Sequence, residues 1–125
     1  ESAPPMTGPR ALAGAGGVDG ALYVCGGYDG QARRPLSSAE RFVPRFIGTG
    51  TWQPAAHMAV RRAAPAAAAG VGRLYICGGL GEDQQILSSV ECFNAKANQW
   101  EPVPQMLSAR SCAAAAVAGQ QLCVF

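Results

Sequence analysis

The stretch LYVCGGYDG at residues 22–30 returns as LYICGGLGE at residues 74–82, and the surroundings of each copy return with it. Upstream, Met6 and Arg10 stand to the first copy as Met58 and Arg62 stand to the second. Downstream, LSSAERF at residues 36–42 becomes LSSVECF at residues 87–93, and each is followed by a tryptophan, Trp52 or Trp100. A third round opens with Met106 and Arg110 and reaches Leu122. The arginines are spaced by 52 and then 48 residues, and the difference falls in the loop after the glycines and the turn before Trp52. Length changes confined to turns mark a structural repeat. The expected units are residues 6–57, 58–105 and an incomplete 106–125, each burying its faces against its neighbours.

Composition agrees that one unit cannot stand alone. The hydrophobic fraction of 49% is largely alanine, and aromatics make up only 7%. Few side chains are therefore large enough to anchor a private core. The chain begins inside what reads as a repeat, so a segment of a longer protein, or a fragment that assembles with copies of itself, is expected. A net charge of +2 with a single lysine, Lys96, lacks the basic stripe that nucleic acid requires. The remaining positive charge is on arginine, which suits forked capture of carboxylates. Neither a membrane-length apolar run nor a basic-then-apolar leader is visible, so no membrane partner is expected.

Each unit reads as four short strands. Asp19-Gly20 between two apolar runs signals a hairpin, and the sequences around Gly72 and Gly119 occupy the same place in the later units. The alanine runs at 66–69 and 113–116 favour helix by propensity. They are too short for an isolated helix and precede strand-like LYI and LCV, so they are assigned as inner strands beside a crowded axis. Pro65 is expected inside the inner strand of the second unit, where it would delete a ladder donor. The glycine pairs Gly26-Gly27 and Gly78-Gly79 mark a bend or a close approach, with Trp52 and Trp100 expected to lie over them. Residues 28–35 and 80–86 read as loops, residues 38–42 and 89–93 as the third strand, and residues 44–50 and 94–99 as turns. Pro54, Pro102 and Pro104 restrict the fourth strand to an edge.

Four strands per unit of about fifty residues, a glycine pair after the second strand and a tryptophan in the fourth resemble the kelch repeat, and within it the kelch-like proteins. In the first copy the resemblance rests on Met6, Arg10, Leu22, Tyr23, Gly26, Gly27, Ser38, Glu40, Phe42 and Trp52, matched in the second by Met58 through Trp100. It implies an all-β fold of β-propeller blades, four-stranded and antiparallel, about two and a half of them in an incomplete ring.

The resemblance also implies a protein-binding rim. Propeller geometry places Arg10, Arg62 and Arg110 around the mouth of the channel, with Arg61 beside them. The loops after the glycine pairs add Tyr28, Arg33, Arg34 and Leu80. Guanidinium groups there would favour an acidic peptide. A second reading pairs the repeated arginines inside the scaffold with Glu40 or Glu91.

No catalytic, metal or cofactor site is expected. The single histidine, His57, has no partner ligand, and the five cysteines lack metal or disulfide spacing. Buried reduced thiols point to an intracellular, cytoplasmic setting. Ser37-Ser38 and Ser88-Ser89 are taken as turn residues. In kelch-like proteins such a propeller commonly follows a BTB domain and recruits substrates to a cullin-type ubiquitin ligase. The alternatives are a carbohydrate-acting propeller enzyme whose site lies in other blades, and a structural or actin-binding scaffold.

Overall fold

The computed structural model describes residues 4–46 and 49–125 of the chain. The first unit folds as β1 (Gly14–Val18), β2 (Ala21–Cys25), a two-residue ladder of β3 (Tyr28–Asp29) and β4 (Arg34–Pro35), then β5 (Ala39–Phe46) and β6 (Thr49–Ala55). The second contributes β7 (Ala66–Gly70), β8 (Arg73–Cys77), β9 (Val90–Asn94) and β10 (Gln99–Val103). The third contains the hairpin β11 (Ala115–Ala118) and β12 (Gln121–Val124). The two full units are four-stranded antiparallel sheets ordered β1-β2-β5-β6 and β7-β8-β9-β10. They are propeller blades, with inner strands β1, β7 and β11 side by side.

The alanine runs are strands because small residues are needed at this inner seam. A Cβ on Gly16 would stand 2.5 Å from the Leu74 Cδ1 of the next blade. Ala66 and Ala68 face inward at 3% and 7% exposure, the alternation of a strand rather than a helix. The β1–β2 turn has positive φ at both Asp19 (50°) and Gly20 (77°), as a tight hairpin requires.

Two expectations about prolines and turns need correction. Pro65 lies just before β7, so the ladder loses no donor there. The segment expected as a turn at 44–50 instead extends the hairpin. β5 runs to Phe46 with a bulge between Pro44 and Phe46, and β6 begins at Thr49. Residues 47 and 48 lie outside the described part. Pro54 and Pro102 sit on β6 and β10, which pair on one side only.

The main core lies between the first two blades. Leu74 and Ile76 are fully buried, and the rings of Tyr23 and Phe93 meet across the interface at 5.1 Å. Burying each such side chain contributes about 1.5–3 kcal/mol, which neither blade obtains alone.

The tryptophans do not cover the glycine pairs. Trp52 packs on Phe42 at 5.3 Å and Trp100 on Phe93 at 4.9 Å, each across its outer hairpin. Their indole N–H groups donate to the Pro4 and Ala56 carbonyls, both at 2.7 Å. Against each glycine pair lies the backbone of the following unit. Gly27 N–H donates to the Arg62 carbonyl at 2.9 Å, and Gly79 N–H to that of Arg110 at 2.8 Å. The pairs have matching conformations, φ 65° and 101° against 62° and 101°. A Cβ on Gly26 would come within 2.5 Å of the Arg62 oxygen. Only glycine satisfies both the left-handed backbone and that approach.

Candidate functional site

The repeated arginines Arg10 and Arg62 are held in the same way. Arg62 is wholly buried. One of its terminal nitrogens donates to the carbonyls of Gly78 (2.9 Å) and Ser89 (3.0 Å), the other to Ser89 Oγ (3.1 Å) and Glu91 Oε2 (2.8 Å). Arg10 repeats the pattern on Gly26, Ser38 and Glu40, with its side chain only 5% exposed. Each carboxylate also gathers the start of its own unit. Glu40 accepts from the Thr7 amide at 2.9 Å, and Glu91 from the amides of Ala59 (2.7 Å) and Val60 (3.3 Å). Burial pushes the Glu40 carboxyl up, but the Thr7 hydroxyl and amide and the Arg10 guanidinium outweigh it and hold the group below its ordinary range.

Arg10 and Arg62 are therefore internal ties, and they leave the set of residues that a partner could touch. Ser38 and Ser89, expected only to turn the chain, supply the acceptors that fix these guanidinium groups.

Arg110 keeps the backbone register of Arg62: its N–H donates to Leu87 O at 3.0 Å, as the Arg62 N–H donates to Leu36 O at 3.0 Å. Arg61 pairs with Glu82 at 3.1 Å, both partly exposed. Such a surface pair contributes about 1 kcal/mol at most. Arg34 is exposed and lies near Asp29, whose carboxyl is held below its ordinary range chiefly by the Ala32 and Gln31 amides and least by Arg34. Arg33 is exposed at the loop tip with φ 54°, and its guanidinium has no acceptor among the described residues.

Three of the expected residues, Tyr28, Arg33 and Leu80, line one cavity of about 420 Å³. Its first-unit wall is Leu12, Tyr28, Arg33 and Pro35, and the second unit adds Ala63, Ala64, Leu80 and Glu82. The loops are held by antiparallel bridges, Ala11 to Tyr28 and Ala63 to Leu80. Arg34, Arg61 and Arg110 do not line it.

The sequence reading missed the floor of this cavity. Leu12, Ala64 and Cys112 each stand two residues after a repeated arginine, and each has positive φ (55°, 48° and 53°). Ala64 N–H donates to Leu12 O at 2.9 Å and Cys112 N–H to Ala64 O at 3.0 Å, so one backbone link runs from unit to unit. The register could have located this row, but Leu, Ala and Cys share no chemistry that would draw attention to it. A larger cavity of about 680 Å³ lies beside Tyr75, Val103 and Leu122 and contains none of the expected site residues.

The five cysteines are unpaired, with Cys25, Cys77 and Cys92 buried and Cys112 exposed. Burial pushes the Cys25 thiol up to about 12 and that of Cys77 to about 11. These two behave as small apolar core residues rather than nucleophiles.

Comparison with known proteins agrees with this geometry. Residues 9–59 and 61–107 each match the Kelch motif. Over 83 residues, 66% of the chain, the sequence is 36% identical to Kelch-like protein 35 of Mus musculus. Over 104 residues, 82% of the chain, it is 35% identical to Kelch-like protein 33 of Homo sapiens. The chain spans 14% and 19% of the length of these two relatives.

Proposed function

Because this chain belongs to the kelch-motif family, we propose that it is a non-enzymatic protein-interaction segment whose partner docks on the loop rim around Tyr28, Arg33 and Leu80. The observation that carries this reading is the open cavity at that rim, built by the loops of the first two units together with Ser111 and Cys112 of the third, and lined by residues that differ between units. Arg34 lies in the chain between the lining residues Arg33 and Pro35, and Arg61 pairs with the lining residue Glu82, so the margin of the cavity adds two exposed or partly exposed cations. They favour a protein or peptide bearing carboxylates, through charge-assisted hydrogen bonds. An acid arriving at Arg61 exchanges with Glu82.

At the level of the longer protein, we extend the proposal to a substrate adaptor of a cullin-type ubiquitin ligase in the cytoplasm. The likeness to two kelch-like proteins and the unpaired cysteines support it.

The test compares partner capture by the chain, by a rim variant (Arg33→Ala with Leu80→Asp) and by a control variant on β5 that does not line the cavity (Arg41→Ala). The rim variant is expected to lose the partner and the control to keep it, with unchanged thermal melts. Equal capture by all three refutes the rim as the docking surface.

A further inference from the structure

The cavity at the rim has a shape as well as a charge, and both are consequences of one position in the repeat. Leu12, Ala64 and Cys112 occupy the same register with the same left-handed backbone, linked by hydrogen bonds. In the first unit this position carries leucine, 65% exposed, and in the second it carries alanine. The missing side-chain volume at Ala64 opens a hollow between Leu12 and the loop residues Tyr28 and Leu80. Its surface is mostly apolar, so water gains little there and an apolar side chain gains much.

Charge around the hollow is uneven. Glu82 on the second-unit wall is neutralised by Arg61 at 3.1 Å. Arg33 on the first-unit wall has no acidic partner among the described residues. One wall therefore presents a free guanidinium while the other is balanced.

Resting on the rim-binding reading, we propose that the hollow receives a single aliphatic side chain of an extended peptide, and that Arg33 binds a carboxylate on the adjacent residue. The occupant is an apolar residue next to an acid, rather than an acidic run. Arg33 is the specificity determinant and Ala64 the residue whose small size admits the anchor.

The probe is the peptide acetyl-Gly-Glu-Leu-Gly-amide, titrated into the isotope-labelled chain and followed by amide chemical shifts. Two control peptides replace its glutamate by glutamine or its leucine by glycine. The expected result is shifts centred on Leu12, Arg33, Ala64 and Leu80. The glutamine peptide should bind about fivefold more weakly, as expected for one exposed charge pair, and the glycine peptide more weakly still. Arg33→Ala should remove the difference between the glutamate and glutamine peptides. Ala64→Leu copies the residue that the first unit already carries at this φ, and it should fill the hollow and abolish binding. Leu12→Asp, at an exposed position, gives a second route to the same loss by placing an acid beside the anchor.

Shifts absent or centred elsewhere, no preference for glutamate, or undiminished binding by both the Ala64→Leu and Leu12→Asp chains would overturn the proposal. Partner capture that is lost with Arg33→Ala/Leu80→Asp but untouched by Ala64→Leu and Leu12→Asp would also overturn it, and would leave the rim reading standing. Capture indifferent to all of these variants would remove both.

Discussion

Replacing Arg62 by alanine tests its role as an internal tie most directly. The substitution removes four hydrogen bonds at 2.8–3.1 Å and leaves Glu91, 5% exposed, without its countercharge. Glu91 retains only the Ala59 and Val60 amides. Removing one partner of a buried ion pair costs about 3–5 kcal/mol, because the other charge remains desolvated. A domain has about 5–15 kcal/mol of stability in total, so the loss is a large part of it. The midpoint of thermal unfolding should fall by about 10–20 °C. Arg33→Ala is the paired experiment. Its exposed side chain has no partner among the described residues, so the change should stay within about 0.5 kcal/mol. Urea unfolding of the two variants and the parent chain, analysed at a common slope, reads both. A loss below about 1 kcal/mol for Arg62→Ala, or equal losses for the two variants, would refute the assignment of Arg62 to the scaffold.

Three further outcomes follow from the same geometry. Gly78→Ala should destabilise more than Gly119→Ala in urea unfolding: both have φ 62°, but a Cβ at Gly78 meets the Arg110 carbonyl oxygen while Gly119 faces open space. The Gly119 change should cost about 1–2 kcal/mol, the left-handed penalty alone. Glu40 has a carboxyl held below its ordinary 4.5, so its stabilisation is present above that pH and disappears as the pH falls through the lower folded value. Unfolding midpoints measured from neutral to acid pH should show this drop, and Glu40→Gln should flatten it. At about pH 8, iodoacetamide followed by peptide mass mapping should label exposed Cys112 first, whereas Cys25 and Cys77 should react only after unfolding.

Much of the fold was legible because the repeat carries strand count, hairpin positions and proline edges in the same register twice. The alanine runs were assigned to strands against their own propensity, and the seam beside Leu74 supplies the reason: larger side chains would collide there. The glycine pairs read from sequence as a bend or a close approach, and the structure shows a close approach, but sequence does not say by what. The approaching group is main chain, which has no residue signature, so the tryptophans were assigned there wrongly. The turn before Trp52 was misread because its three extra residues could lengthen either a loop or two paired strands. Pairing of Val43 with Thr51 and Pro44 with Gly50 chose the strands.

The site was harder to read, and the reason bears on repeat proteins generally. A residue that recurs at one register in successive units meets the same surroundings in each, so its task lies within the unit or between neighbouring units. Arg10 and Arg62, with Ser38, Ser89, Glu40 and Glu91, are such residues, and their recurrence made them conspicuous while burial removed them from any partner. Recognition needs an asymmetric surface, which like units produce only where they differ. Tyr28 against Leu80, Arg33 against Gln84, and Leu12 against Ala64 and Cys112 are equivalent positions with unlike side chains, and all of them line the rim cavity. The repeat therefore identifies the scaffold by agreement, and it identifies the candidate binding surface by disagreement at positions whose backbone conformation is nonetheless the same.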